Sequence, residues 1–168
     1  MATFAMSEAL TIILKRNDPT SAAKKVSLTE LGSIKINKEE RTKMYKTIPR
    51  SSVIGFLIGV LPGAGATIAS FLAYGMERNF VNDEEKEKFG KGSVNGLSAP
   101  ETANNAACSG SFVPMLTLGI PGSGTTAVML GALLGFGIQP GPRLYMTNPE
   151  IFWSVIMSMY IGMVILLI

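Results

Sequence analysis

Residues 53–74 run for 22 positions without a charged side chain, and Leu61-Pro62-Gly63-Ala64-Gly65 interrupts them near the middle. A bilayer core of ~30 Å takes ~20 apolar residues as helix, so this stretch has membrane length. Proline removes a backbone donor and clashes with the preceding turn, while glycine admits backbone angles closed to other residues. A helix cannot run smoothly through such a pentapeptide. Backbone groups freed inside a bilayer cannot face lipid and must face protein or a wet cavity. The expected fold class is therefore all-α: a polytopic membrane protein fragment with two helices or re-entrant hairpins broken at Pro-Gly motifs.

The interruption occurs twice. Leu61-Pro62-Gly63-Ala64-Gly65-Ala66-Thr67 aligns with Ile120-Pro121-Gly122-Ser123-Gly124-Thr125-Thr126, sharing the pattern apolar-Pro-Gly-small-Gly-x-Thr. The second copy sits in another uncharged run, residues 106–138, which also contains Pro114. A helix restarting at Thr67 or Thr126 would aim N–H groups and the positive end of its dipole back into the break, which suits a carboxylate. Pro-Gly breaks also serve as packing kinks, but two copies in matching positions point to a midplane substrate site of the kind secondary transporters use. The candidate substrate-binding residues are Pro62, Gly63, Gly65, Thr67, Pro121, Gly122, Ser123 and Thr126. Segments that span fully would be antiparallel, with breaks meeting from opposite directions. Re-entrant hairpins would put both breaks on one side.

Charge distribution supports the membrane reading. Ten of the 15 basic residues lie between Lys15 and Arg50, and only Arg143 and Glu150 are charged after Glu101. Basic segments beside apolar runs read as cytoplasmic loops. They are not interleaved with aromatics in any nucleic-acid motif, so no nucleic-acid partner is expected. With no His and a single Cys, Cys108, a disulfide, a cysteine metal cluster and the commonest acid/base catalyst are excluded. Ser109, Ser111 and Ser123 have no base spaced to activate them, so the chain is not expected to be an enzyme. Cys108 reads as a small buried residue.

The expected organisation is a basic, partly amphipathic cytoplasmic-side segment over residues 1–50, with a short helix over 38–46 ended by Pro49. A broken membrane segment follows over 51–75. A polar connection over 76–105 contains a short surface helix near 82–88. A second broken segment covers 106–138. A loop over 139–150, with a tight turn at Gln139-Pro140-Gly141-Pro142, leads to a transmembrane helix over 151–168 that the chain end cuts off; a fragment of a longer protein is expected. Glu101, Asn104 and Asn105 stand where the second segment begins. Asn offers donors and acceptors, and a carboxylate beside Asn and Ser oxygens can hold a hard cation or take a proton, so these three are candidate ion-coupling or site-lining residues. Ordinary helix capping by Thr102 or Asn104 in an interfacial loop is the alternative reading of this stretch.

The ordered set Gly59-Val60-Leu61-Pro62-Gly63-Ala64-Gly65-Ala66-Thr67-Ile68-Ala69-Ser70-Phe71, Phe89-Gly90-Lys91-Gly92, Ala99-Pro100-Glu101-Thr102-Ala103-Asn104-Asn105-Ala106-Ala107, Leu116-Thr117-Leu118-Gly119-Ile120-Pro121-Gly122-Ser123 and Gly137-Ile138-Gln139-Pro140-Gly141-Pro142 resembles the large membrane subunit of the tripartite tricarboxylate transporter family. Phe4-Ala5-Met6-Ser7-Glu8 adds to the likeness. The resemblance implies a multi-pass protein of the bacterial inner membrane that takes up citrate or related carboxylates on an ion gradient. A small membrane subunit and a periplasmic solute-binding protein would be its partners. No cofactor is implied beyond sodium or a proton as coupling ion. Such subunits are about three times longer than this chain, so a non-transporting remnant or assembly fragment is the alternative reading.

Overall fold

A computed structural model describes residues 36–166, together with Met6 and Leu10. The expectations for residues 1–35 lie almost wholly outside the described residues. Every regular element among those described is helical: α1 (Lys38–Val60), α2 (Gly65–Phe80), α3 (Asp83–Lys86), α4 (Val94–Gly110), α5 (Phe112–Leu118), α6 (Gly124–Gly135), α7 (Leu144–Thr147) and α8 (Pro149–Ile165).

The start of α1 is fixed by a capping box. The Asn37 carboxamide and the Glu40 carboxylate accept from each other's backbone N–H groups, and Glu39 and Glu40 complement the positive end of the dipole. The helix does not end at Pro49 as expected. It continues through Pro49 to Val60, because the lost N–H removes one hydrogen bond while the packing of residues 51–59 holds the rest in place. Pro62 is what stops it. The residue before a proline is driven out of the helical region, and Leu61 is extended at φ −75°, ψ 121°.

The chain then reverses. Gly63 and Gly65 take the left-handed angles φ +79° and +67°, and the Ala64 N–H donates to the Leu61 carbonyl across the turn. Consequently α2 returns alongside α1: Glu77, in its last turns, meets Thr47 and Arg50 in the first half of α1. The first interruption is a hairpin, not a gap in a continuous helix.

The third member of the bundle is α4. Thr47 meets Asn95, Gly55 meets Ala103 and Gly59 meets Ala107. Each pair is separated by 48 residues (95 − 47, 103 − 55, 107 − 59), so α1 and α4 run parallel. Contact is through backbone. A Cβ built on Gly55 would lie 2.6 Å from Ala103 Cα, and one on Gly59 2.6 Å from Ala107 Cα. Small residues at four-residue spacing allow this approach and the dispersion contacts that come with it. Each helix buries such a stripe: Thr47, Ser51, Gly55 and Gly59 on α1; Ala69, Ala73 and Glu77 on α2; Asn95, Ala99, Ala103 and Ala107 on α4. The helix α4 begins at Val94, capped by the Ser93 hydroxyl on the Gly96 N–H. The stretch from 94 to 105, expected as the second part of the polar connection, is therefore wholly helix, and neither Thr102 nor Asn104 is its cap.

Polar residues close the opposite end of the bundle. Glu77 is buried to 1 % exposure. Its Oε1 accepts from Thr47 Oγ1 at 2.8 Å, Arg50 Nη2 at 2.9 Å and Asn95 Nδ2 at 3.2 Å. A buried charge is tolerable only when paired and hydrogen-bonded in this way. Arg50 also lies 4.4 Å above the Phe80 ring. Farther out, Lys43 reaches Glu85 at 2.7 Å, and the Ser93 hydroxyl donates to the other Glu85 oxygen at 3.1 Å. The expected helix near 82–88 is present as the single turn α3, capped by Asn82.

A second core forms around Met115, Leu116 and Leu144, with Phe112, Met129, Leu130, Leu133, Ile138, Phe152 and Val155 against it. The turn at 139–142 is tied to it by the Gly141 N–H, which donates to the Leu116 carbonyl. By contrast, α8 buries no residue and is apolar on every side; such a surface faces lipid or other protein. Among the described residues no helix is long and apolar enough to cross a membrane. The reason is visible in the breaks. They divide the apolar runs into pieces such as α2 and α6, of 16 and 12 residues, while α1 carries charges as far as Arg50 and α8, unbroken, has 17 residues. At ~1.5 Å per residue those two pieces are only ~24 and ~18 Å long.

Replacing Gly55 by leucine drives a side chain into the α4 backbone. It should destabilise the detergent-solubilised chain by about 1–3 kcal/mol, the usual cost of overpacking. Gly131→Ala, where a Cβ meets nothing within 4 Å, should leave the melting temperature unchanged or slightly raised; equal effects at the two sites would mean that α1 and α4 do not touch in this way.

The hydrogen bond from Lys43 is the main cause holding the Glu85 carboxyl below its ordinary pKa, and the same bond raises Lys43. For the acid, stabilisation is present above the unfolded carboxylate value and is lost as pH falls through the depressed folded one. For the lysine it is present below the unfolded value and lost as pH rises through the raised one. The melting-temperature gap between the chain and its Glu85→Gln variant should therefore narrow below pH 4. A gap independent of pH in that range would remove the pair from any role in stability.

Candidate functional site

The two interruptions lie at the same end of the bundle. Because α1 and α4 are parallel, their C-termini coincide: a Cβ on Gly110, the last residue of α4, would come 3.1 Å from Val60 N. From there α5 runs to Leu118 and ends on Gly119 in the left-handed region, φ +71°. The chain then doubles back through Ile120 and Pro121. It brings Gly122 against Ser111, with only 2.7 Å between a hypothetical Gly122 Cβ and the Ser111 Cβ, and 3.1 Å to the Gly59 carbonyl oxygen. Only glycine fits there. The second break thus rests on the last turn of α1, two residues before the first break begins. This is the one-sided arrangement that re-entrant hairpins require.

Equal sequence spacing does not give equal geometry. In the first break two glycines carry positive φ, and Pro62, Gly63 and Thr67 are exposed. In the second, the positive φ falls on Gly119, upstream of the shared pattern, and Gly122 is buried. The helix ends differ as well. No side chain caps α2 at Ala64, so its first-turn N–H groups keep the partnerless state of an open helix N-terminus. The start of α6 is closed. Ser123 Oγ accepts from the Thr126 N–H at 3.2 Å, and Thr126 Oγ1 accepts from the Ser123 N–H at 2.8 Å. Thr126 is buried to 1 % exposure. Both helices restart two residues earlier than expected, at Gly65 and Gly124.

Between α2 and α4 lies a groove of about 510 Å³ lined by Thr67, Ser70, Phe71, Tyr74, Gly96, Pro100 and Asn104. It brings together one residue from the first break, Thr67, and one from the Asn pair, Asn104. Ser70 Oγ lies 2.9 Å from the Ala66 carbonyl and 3.2 Å from the Pro100 carbonyl, which fixes the groove floor across the two helices. Glu101 and Asn105 are exposed and do not line the groove. The Asn105 carboxamide donates to the Glu101 carbonyl of its own helix at 3.1 Å. Cys108 is exposed rather than buried, because Ala103, Ala107 and Gly110 hold the inward face of α4. Among the described residues no cluster of three or more acids or cysteines could hold a metal ion.

Ser70, Tyr74 and Pro100 were not among the sequence candidates. Ser70 and Tyr74 follow Thr67 at three and seven residues, the spacing of one helix face. That signal becomes readable only once a helix is known to start at Gly65. Gly59 and Ser111, against which the second break rests, carry no sequence signal beyond being small.

A family model described as the tripartite tricarboxylate transporter TctA family matches residues 1–168. Two relatives from Agrobacterium vitis are similar. One is an uncharacterized 52.8 kDa protein in the TAR-I ttuC' 3' region, 38 % identical over 153 residues, which are 91 % of this chain and 30 % of that protein. The other is an uncharacterized protein in the TAR-II ttuC' 3' region, 46 % identical over 114 residues, 68 % of this chain and 46 % of that protein. The chain thus spans between about a third and a half of the length of these relatives. No solved structure matches it. A family match over the whole sequence, on a chain whose two Pro-Gly breaks adjoin at one end of a helical bundle, settles the assignment: the chain belongs to the tripartite tricarboxylate transporter TctA family.

Proposed function

We propose that this chain supplies the substrate-binding breaks of the membrane component of a secondary active transporter for tricarboxylates or related, citrate-like carboxylates. Uptake is driven by a sodium or proton gradient across the bacterial inner membrane. A periplasmic binding protein delivers the substrate, and a small membrane subunit completes the system. The observation that carries this reading is the uncapped N-terminus of α2 beside two positive-φ glycines. Open N–H groups at a positive dipole end bind a carboxylate without a charged side chain.

Pro62, Gly63, Gly65 and Thr67 form the anion-holding break. Its neighbour supports it differently from the first expectation: Pro121 leads the chain to Gly122, which lies beside Gly59, while Ser123 and Thr126 spend their hydroxyls on capping α6 and act by holding that shape. Asn104 lines the groove that contains Thr67, which supports a site-lining role. Glu101 and Asn105, outside the groove, are the more distant candidates for ion coupling.

The test is uptake of labelled citrate by cells producing a longer family protein that carries this sequence, with its partner proteins, with and without a sodium gradient. Gly65→Val forces an L-residue into the left-handed region at a cost of ~1–2 kcal/mol, or ~5–30-fold if carried into affinity. Initial uptake should fall by about that factor for Gly65→Val and at least as far for Gly122→Val, with protein levels in the membrane maintained. Uptake that tolerates both replacements would sink the reading. Loss of uptake on collapsing the sodium gradient assigns sodium as the coupling ion. No uptake of any carboxylate would favour the non-transporting assembly role.

A further inference from the structure

The loop Phe89-Gly90-Lys91-Gly92 borders a cavity of about 360 Å³ whose lining includes Tyr74, Gly90, Gly92, Ser93, Gly96 and Leu97. This cavity adjoins the groove of about 510 Å³ that begins at Thr67, because Tyr74 and Gly96 line both. Thr67 and Tyr74 are seven residues apart on α2, or ~10 Å of helix. The two cavities thus follow one seam between α2 and α4, from the first break toward the charged end of the bundle.

The seam suits an anion. Thr67, Ser70, Tyr74 and Asn104 bring hydroxyl and carboxamide donors to it, and no carboxylate lines either cavity. At the charged end another cavity is lined by Glu77, Glu84 and Glu85, which repel a carboxylate. The loop adds a cation. Lys91 stands between the two lining glycines, is exposed, and pairs with no carboxylate among the described residues. Gly90 and Gly92 take φ +75° and +104°, angles open to glycine and costly for other residues.

Tyr74 stands where the two cavities meet. Its ring packs edge-on against Phe89, with the centroids 5.2 Å apart. Phe89 is buried and lies close over the bare backbone of α4: a Cβ built on Gly96 would come 3.3 Å from its ring. The loop therefore fixes the position of the ring that divides the seam.

We propose that this seam is the route of the carboxylate between the breaks and the cytoplasm, the side that the basic residues of α1 favour. Tyr74 is its gate and Lys91 the cation at its mouth. These roles rest on the carboxylate-transport reading, but accessibility is measured without uptake, so the route and the transport can fail separately.

The experiment uses inside-out membrane vesicles holding a longer family protein that carries this sequence. Cys108, which is exposed, is replaced by serine, and a single cysteine is introduced as Ser70→Cys or Leu97→Cys. The probe is a membrane-impermeant thiol reagent bearing a sulfonate. Ser70→Cys, on the break side of Tyr74, should react faster with Tyr74→Ala and about tenfold more slowly with Tyr74→Trp, within what overfilling a packed site costs. Leu97→Cys, in the outer cavity, should react alike in all three backgrounds, which shows that the fold is kept. Lys91→Gln should slow the sulfonate at Ser70→Cys about fivefold, the attraction of one exposed charge at close range, and leave an uncharged impermeant reagent unaffected. A Ser70→Cys rate indifferent to both Tyr74 variants overturns the proposal. So does labelling confined to right-side-out vesicles, or a Lys91→Gln effect of equal size on the uncharged reagent.

Discussion

The backbone contact between α1 and α4 is the constraint on which the rest of the molecule depends. Gly55 and Gly59 let two parallel helices approach until Ala103 and Ala107 leave no room for a Cβ. In a lipid environment apolar burial gives helices little reason to associate, and close packing of small residues is what remains. The same contact sets positions farther along. It places the C-terminus of α4 beside that of α1, and so brings the chain through Ser111 and Gly122 to the edge of the first break. It also sets Asn95 opposite Thr47, where the polar end can close.

The bundle therefore has two unlike ends. At one, a hydroxyl and a guanidinium from α1 and a carboxamide from α4 share a single buried oxygen of Glu77 on α2. Removing one partner of such a cluster leaves an uncompensated charge, which makes this the rigid end. At the other, the chain turns on glycines, and the start of α2 has no cap. Rigidity and openness are separated by the length of the small-residue stripe. Holding open backbone donors in place at one end of a helix pair requires that the other end cannot slide, and the Glu77 cluster meets that requirement.

Much of this was legible in the residues. The helical class, the two breaks and their candidate role follow from Pro62-Gly63-Ala64-Gly65 and Pro121-Gly122-Ser123-Gly124, because few other structures tolerate that chemistry inside an apolar run. The family follows from the order of the motifs. What was not legible was direction. Nothing local to Leu61-Gly65 says whether the chain continues or turns back; that depends on Glu77 finding Thr47 and Arg50 thirty and twenty-seven residues earlier. Likewise Ser123 and Thr126 read as free hydroxyls until the capping geometry of α6 is seen, and Cys108 reads as buried until Ala103 and Ala107 are known to hold the inner face. The start of α4 at Val94 was hidden by Gly92, Gly96 and Pro100, residues that argue against a helix locally and are overruled by its packing.

The fixed spacing of 48 residues between the facing positions of α1 and α4 has a consequence for biosynthesis. When α1 and α2 have left the ribosome, the glycine face of α1 has nothing to lie against. At ~5–20 residues per second the residues from the end of α2 to the end of α4 take ~1.5–6 s to follow. During that interval the Gly55 and Gly59 face of α1 stays uncovered, so the tightest contact in the bundle is also one that can form only after the hairpin that precedes it.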